Sequence, residues 1–419
     1  MKRGSITVGI LMLIFPLLGI AQEKGIQFQQ LNWREVLKKA KAEKKYIFVD
    51  CYASWCGPCK HMDNEVYNQD TIGAFYNDHF ISIKLQLDTS KNDSKEVEER
   101  YGDASYLSHR YSITTFPSFL FFSPEGKLVH RSLGFTPLDD FLQLGKNALN
   151  PQRQYYTLLE RYEKNKVDSS CMYLSMIAEL LGDTTISRRI GRSYVSVLLT
   201  TGNDKQFQPS TIEFIMAFTM NSNDPGFPFL YRNINEIDHI MKDSNYVERY
   251  IDYIIAKEDI DPVMGAAVKS DLDSPNWESM ALGISEKYTS TFSDRTIANA
   301  KARWYQWKQN WPELTRNIVA LVNNYGSTIQ DFDKAKYAWT IFQHSDNKEE
   351  LEAALLWTQT ILVNNPNWPQ VLDTYANILY KLGDAKKGIA VEEKAAKLGI
   401  LDKEIQENFE KMKRGKPTW

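Results

Sequence analysis

Cysteine is scarce, with four residues in a chain of 419, too few to act as a disulfide scaffold. Glycine (21) and proline (15) are also sparse, which excludes a collagen-like or linker-dominated chain. Neither sign of charge dominates. Fifty Lys and Arg stand against 53 Asp and Glu, and a net charge of −3 gives no support to a nucleic-acid partner. Beyond the first 21 residues, no apolar run approaches the roughly 18 residues of a membrane-spanning helix. Aromatic residues, by contrast, make up 12% of the chain and hydrophobic residues 43%, enough to build ordinary cores and too many for a disordered chain. The length favours two or three domains. Three of the four cysteines crowd together at Cys51, Cys56 and Cys59.

Residues 1–21 read as a secretory signal peptide. Lys2 and Arg3 precede an apolar stretch from Ile10 to Leu18, and Gly19-Ile20-Ala21 sets small residues at the cleavage positions before Gln22. The competing reading is an uncleaved N-terminal anchor. Export places the cysteines in an oxidising compartment, with the periplasm of a bacterial envelope the favoured location.

Residues 25–149 have the pattern of an α/β domain. Asn32 predicts an N-cap for a helix over 33–44, with Trp33, Val36, Leu37 and Ala40 on one face and lysines on the other. Tyr46 to Val49 reads as a buried strand and Phe80 to Leu85 as a second. A helix beginning near Cys59 carries Met62 and Val66. Glu96–Arg100 and Leu107–Tyr111 are short helical stretches. Ser118–Phe122 and Lys127–His130 flank the turn Ser123-Pro124-Glu125-Gly126 as an antiparallel pair. Thr136-Pro137 then opens a helix through about Ala148.

The pattern changes after Asn150-Pro151, and residues 151–419 read as all-helical. Helical segments include Tyr155–Tyr162, Met172–Leu181, Ile212–Met220, Tyr246–Ile255, Thr296–Trp307 and Glu349–Leu362. Breaks fall at Gly182-Asp183, Asp224-Pro225-Gly226, Asp261-Pro262, Asn310-Trp311-Pro312 and Asn365-Pro366. Leu321-Val322-Asn323-Asn324 recurs as Leu362-Val363-Asn364-Asn365 about 40 residues later, a period suited to a helical solenoid. Residues 372–398 resemble a tetratricopeptide repeat through Ala376, Leu379, Gly383 and Ala395. Gly388 stands where that family prefers alanine. The tryptophans Trp304, Trp307, Trp311, Trp357 and Trp368 are read as packing residues.

Trp55-Cys56-Gly57-Pro58-Cys59 carries the chemistry. Two cysteines at i and i+3 serve as zinc ligands, as redox partners or as plain core residues. Zinc needs two further ligands; Cys171 is distant, and His61 offers only one nitrogen. No metal or cofactor is therefore expected. In the redox reading, a helix N-terminus stabilises a thiolate at Cys56, and Pro58 holds the turn tight without losing a needed N–H.

The stretch from Val49 to Lys60 resembles the thioredoxin family. The active-site tetrapeptide, the tryptophan before it and Asp50 six residues before Cys56 all coincide with that family's pattern. The resemblance implies that Cys56 attacks substrate disulfides, that Cys59 resolves the mixed disulfide, and that Asp50 assists proton transfer at the resolving thiol. It further implies that Phe116-Pro117-Ser118 carries a cis-proline beside the site, that Trp55, Gly57, Pro58, Phe116 and Pro117 line the substrate groove, and that Gly134 matches the closing glycine. Phe116 replaces a smaller or β-branched residue, and residues 88–110 lengthen the connection before Pro117. Cys51 alternates to the strand face opposite Asp50 and reads as a packing residue, as does Cys171 among Met172, Leu174 and Met176.

The functional expectation is an exported thiol–disulfide oxidoreductase, favouring reduction of protein disulfides. A membrane-bound electron donor would supply it, and a protein substrate or partner would dock on the helical region. The rival expectation is an envelope interaction protein in which the thioredoxin-like domain is mainly a docking unit.

Overall fold

A computed structural model describes residues 25–164, 166–202 and 204–419. The signal peptide expected over residues 1–21 lies outside the described residues. The chain forms two compact units that divide between Val197 and Leu198.

In the first unit, α1 (Trp33–Glu43) starts where the sequence places it. Asn32 accepts the Glu35 N–H, and the Glu35 carboxylate accepts the Asn32 N–H, each at 3.0 Å, a reciprocal capping box. Four strands follow in the chain: β1 (Tyr46–Tyr52), β2 (Phe80–Gln86), β3 (Ser118–Phe122) and β4 (Leu128–Leu133). They form one sheet in the order β2-β1-β3-β4, with β1 and β2 parallel and the other pairs antiparallel. Between β1 and β2 lie α2 (Gly57–His61), a π-helical turn over Met62–Tyr67, and α3 (Asp70–His79). The helix expected from near Cys59 with Met62 and Val66 corresponds to α2 and the π-turn, and α3 is a further helix that the sequence pattern did not single out. α4 (Lys95–Glu98) and α5 (Tyr101–Tyr111) occupy the long connection before β3, and α6 (Leu138–Leu149) follows β4. α6 begins one residue later than a helix with Pro137 at its first position, because Pro137 itself sits at the extended cap with ψ 162°.

Strand alternation divides the core in two. Ile47, Val49 and Cys51 of β1 face Val36, Ala40 and Leu107 of α1 and α5. Phe48 faces the other way, into Met62, Val66, Tyr76 and Phe141. The Phe48 ring packs edge-on against Tyr76 and Phe141 at 5.1 and 5.7 Å. Such aromatic pairs contribute about 0.5–1.5 kcal/mol each beyond their buried area.

The first unit continues past residue 150 through α7 (Tyr155–Glu163), α8 (Ser170–Leu180) and most of α9 (Thr184–Thr200), within which the division falls. The Tyr155 N–H donates to His130 Nδ1 of β4 at 3.0 Å, and Lys127 pairs with Glu160. Leu133 packs into the cluster built by Tyr155, Leu158, Leu174 and Ile190. The edge strand β4 is thus covered by helices, which satisfies its apolar face.

The second unit is helical throughout its described residues. Its longer helices are Ser290–Trp307, Trp311–Tyr325, Asp331–His344, Lys348–Asn364, Pro369–Lys381, Ala385–Leu398 and Lys403–Lys413. Asp261-Pro262 is not a break. The chain passes from Tyr246–Ile255 through a π-turn at Ala256–Ile260 directly into Asp261–Lys269, since proline is tolerated in a first helical turn. Trp304 and Trp357 are buried, whereas Trp307 is half exposed. Arg295 is buried between Asp252 and Glu248, at 2.6 and 2.7 Å.

Candidate functional site

The site grows from the C-terminal end of β1. After Tyr52 the strand gives way to a turn in which the Cys56 N–H donates to the Ala53 carbonyl at 3.0 Å. Ser54 fixes that turn by donating from its amide and hydroxyl to Asp88, at 2.8 and 2.6 Å. Gly57 and Pro58 then begin α2, with Cys56 as the N-cap and its Sγ accepting the Cys59 N–H at 3.1 Å. A sulfur at that position receives the field of unsatisfied helix N–H groups.

Cys56 and Cys59 are joined by a disulfide, with Cα atoms 5.3 Å apart. Both are nearly buried and cluster with Ala53, flanked by Tyr52 and Phe116. Pro117 is buried, and the Phe116–Pro117 peptide bond is cis. The Gly134 N–H donates to the Pro117 carbonyl at 2.8 Å, and Gly134 has φ 81°, a conformation glycine adopts without strain. The Trp55 ring meets Phe116 edge-on at 5.8 Å while remaining 69% exposed. Phe135 also stands exposed, beside His61. The disulfide therefore lies within an apolar, solvent-facing rim. The structure brings Trp55, Cys56, Gly57, Pro58, Cys59, Phe116 and Pro117 into one locale.

Asp50 lies one layer below. It is on β1, 1% exposed, on the sheet face that carries Phe48. Its register partner across the parallel pair is Lys84 of β2. Lys84 Nζ stands 3.6 Å from Asp50 Oδ2 and also pairs with Asp63 of the π-turn. The same ammonium lies over Tyr52 at 4.9 Å and over Phe28 and Tyr67 at 5.4 Å. Among the described residues, buried Asp50 Oδ1 and the Tyr67 hydroxyl have no partner of good hydrogen-bond geometry, and Tyr67 interacts with the Asp50 carboxyl. Burial pushes the Asp50 carboxyl up from 3.8 to about 6, against the pull of Lys84 and with a further push from Asp63. A carboxyl poised there takes up or releases a proton near neutral pH.

Lys84 and Asp63 escaped the sequence reading. The only local signal was a lysine inside the otherwise buried run Phe80–Gln86, whose meaning depends on which strand β2 joins. Cys51, one residue from Asp50, faces the opposite core and is fully buried, and burial holds its thiol well above the ordinary range. Cys171 is buried in the α7–α8 cluster and is raised for the same reason. Both are free thiols. Among the described residues no cluster of His, Cys, Asp and Glu has the arrangement of a metal site.

Comparison with known proteins agrees with this geometry. Residues 33–149 match the family model described as a thioredoxin-like domain. The chain is 30% identical over 116 residues to a protein disulfide-isomerase of Schizosaccharomyces pombe, covering 27% of each chain. It is 32% identical over 108 residues to the thiol:disulfide interchange protein DsbD of Colwellia psychrerythraea, covering 25% of this chain and 16% of that protein. Against the chloroplastic thioredoxin Y of Oryza sativa subsp. japonica the identity is 31% over 118 residues, 28% of this chain and 58% of the relative. The chain thus spans less than two thirds of the length of each of these relatives. A solved structure, the DsbH oxidoreductase, aligns over 34% of this chain and 94% of its own at 22% identity, with a TM-score of 0.27. Residues 33–149 thus form a thioredoxin-like α/β domain, followed by a long helical region.

Proposed function

We propose that this protein is an exported thiol–disulfide oxidoreductase that reduces disulfides in protein substrates through Cys56 and Cys59. The observation that carries the reading is the bridged Cys56–Cys59 pair at the start of α2, beside cis-Pro117 and above buried Asp50. The relatives named as isomerase, interchange protein and thioredoxin support the same chemistry.

In the reduced protein the Cys56 thiolate attacks one sulfur of a substrate disulfide. The substrate S–S bond breaks, a mixed disulfide forms, and the departing sulfur takes up a proton. Asp50 accepts the proton of the Cys59 thiol. The Cys59 thiolate then attacks Cys56 Sγ, closing the protein's disulfide and releasing the second substrate thiol. Two electrons and two protons pass to the substrate. Restoring the two thiols takes two electrons from a dithiol donor, for which a membrane-bound disulfide-reducing partner is the natural class. Trp55, Gly57, Pro58, Phe116 and Pro117 form the groove, and its exposed aromatic rim suits a protein segment.

The pattern of residues 1–21 supports export, the bacterial periplasm being the favoured destination. The helical region serves to dock substrate or partner. Its hairpin Pro369–Lys381 and Ala385–Leu398, turned at Gly383 with φ 97°, supports a tetratricopeptide-like unit there.

The test is turnover of a model protein disulfide with a dithiol donor. Wild-type protein should reduce it, Cys56→Ser should fall to background, and Cys59→Ser should accumulate a mixed disulfide visible on a non-reducing gel. Background turnover by the wild type would sink the enzyme reading and leave a docking role. Cell fractionation of the tagged full chain tests export.

A further inference from the structure

Next to the cis-proline, the first unit holds a second concavity that the exchange chemistry does not use. It has a volume of about 370 Å3. One wall is the chain leading into the cis-proline, with Ser112, Thr114 and Thr115; another is the end of α8 at Leu180 and Leu181. Arg131 of β4 is the only charged residue lining it among the described residues.

Arg131 is in an unusual electrostatic position. Among the described residues it makes no ion pair, and its Nε is buried with no hydrogen-bond partner. Its Nη2 donates a long bond, 3.4 Å, to the Leu181 carbonyl, and the Tyr156 hydroxyl is its other hydrogen-bond partner, so no acid neutralises the guanidinium. Asp183 is engaged by the Tyr155 hydroxyl at 2.8 Å, and Asp140, on a neighbouring concavity that Arg131 also lines, is exposed and makes no ion pair with it. A guanidinium that is partly withdrawn from water without a carboxylate costs stability, and an incoming anion recovers that cost. Ser112, Thr114 and Thr115 are exposed at the same opening and present hydroxyl donors. The guanidinium fork matches the two oxygens of a carboxylate.

We infer that Arg131, with the Ser112–Thr115 hydroxyls, is a substrate-specificity site that receives a carboxylate flanking the target disulfide, so that the protein favours acidic substrate segments. The inference rests on the oxidoreductase reading and refines it. Thr115 is two residues from Pro117, so a segment lying along the cis-proline loop reaches the pocket within a few residues of its cysteine. The carboxylate comes either from an Asp or Glu side chain or from a chain terminus.

The test uses short peptides, each closed by an internal disulfide, and the reduced full-length protein. Glu, or Gln as its neutral match, is walked through the three positions on either side of the reactive cysteine in C-terminally amidated peptides, and one further peptide ends in a free carboxylate beside the disulfide. Protein oxidation is followed as second-order rate constants. At low salt the wild type should reduce one Glu peptide, or the free-acid peptide, at least about fivefold faster than its neutral match, with the gap closing in high salt. Which arm shows the preference identifies the source of the carboxylate. Arg131→Gln should bring that ratio to one, while Arg131→Lys retains part of it, which separates lost charge from a disturbed fold. Thermal melting of both oxidised variants accompanies the rates. Equal rates for all matched pairs, with every peptide reduced, would overturn the carboxylate site and leave the oxidoreductase standing. Failure to reduce any peptide overturns both.

Discussion

Lys84 Nζ lies 3.6 Å from Asp50 Oδ2, and the same ammonium pairs with Asp63. One cation is thus shared between a buried and an exposed carboxylate, and both shape the proton affinity of Asp50. Lys84 favours its charged form, whereas burial and Asp63 oppose it. Removing the cation with Lys84→Met should move the pH midpoint of the Asp50-dependent resolving step above about 6. Asp63→Asn should move it down. Single-turnover resolution of a mixed disulfide across pH 5–9 measures both shifts, and movement in the same direction would contradict the shared-cation arrangement.

Asp50→Asn should stabilise the oxidised protein at pH 7 and slow resolution. Its folded carboxyl sits at about 6 against 3.8 when exposed, so the folded state binds the extra proton between those values. Stability from this group therefore falls by about 3 kcal/mol as pH rises through that window. The gain from Asp50→Asn should disappear below about pH 4. Hydrogen exchange of β1 and β3 amides reads it locally.

His130 has the opposite sign. Burial depresses its imidazole from 6.5 to about 4, and its neutral Nδ1 accepts the Tyr155 N–H. The unfolded chain binds the proton first, so stability falls by about 3 kcal/mol as pH drops from 6.5 to 4. The Asp50 and His130 contributions oppose each other over nearly the same range. Asp50→Asn should expose the acid loss that the wild type masks, and His130→Phe should remove it at the cost of the Tyr155 hydrogen bond. Denaturation of each variant at pH 7 and 4.5 provides the comparison. Identical pH slopes in both variants would contradict it.

Cys51 and Cys171 should resist thiol reagents in the native protein, reduced or oxidised, because both are buried and burial disfavours their thiolates. Titration of the native oxidised protein should find no reactive thiol, and unfolding should release two. After mild reduction, Cys56 and Cys59 should react first. Cys51→Ser, which buries an extra hydroxyl, should cost about 1–3 kcal/mol. Rapid native labelling at either buried position would show that the core opens there.

In the second unit, Glu392 is fully buried, and its carboxyl oxygens lack a donor other than a proton shared with buried Asp373. Burial and the neighbouring carboxyl raise Glu392 far above the ordinary range. The folded state holds that proton, so its stability falls as pH rises. Glu392→Gln should therefore stabilise the helices spanning 369–413 by about 1–3 kcal/mol at pH 9, with a smaller gain at pH 6. Amide protection in those helices is the readout, and an equal gain at both pH values would rule out the buried proton.

Much of the domain was legible because its signals are local. The capping pair Asn32 and Glu35 started α1 at the expected residue, and the turn at Ser123–Gly126 placed the β3–β4 hairpin. Alternation along β1 was enough to send Asp50 and Cys51 to opposite faces. The π-turn at Met62–Tyr67 was not legible, since α2, the turn and α3 run through helix-compatible residues without a break signal. Nor was the extension of the first unit past residue 150. The helical pattern there runs on without change into the second unit, and tertiary contacts such as Tyr155 on His130 and Leu133 in the Tyr155–Leu158 cluster show that α7 belongs against β4.

Local sequence dictates the chemistry on offer: a cysteine pair at a tight helix start, an acid on the preceding strand and a proline-centred loop to complete the site. Each depends on residues a few positions apart, where propensity and spacing decide conformation. Long-range packing sets how that chemistry is tuned. Lys84 meets Asp50 through the β1–β2 register, Arg131 and the Ser112–Thr115 loop are brought together by β4, and His130 is neutral because α7 buries it. These relationships join residues far apart in the chain, and their energies are set by desolvation, which exists only once the chain has packed.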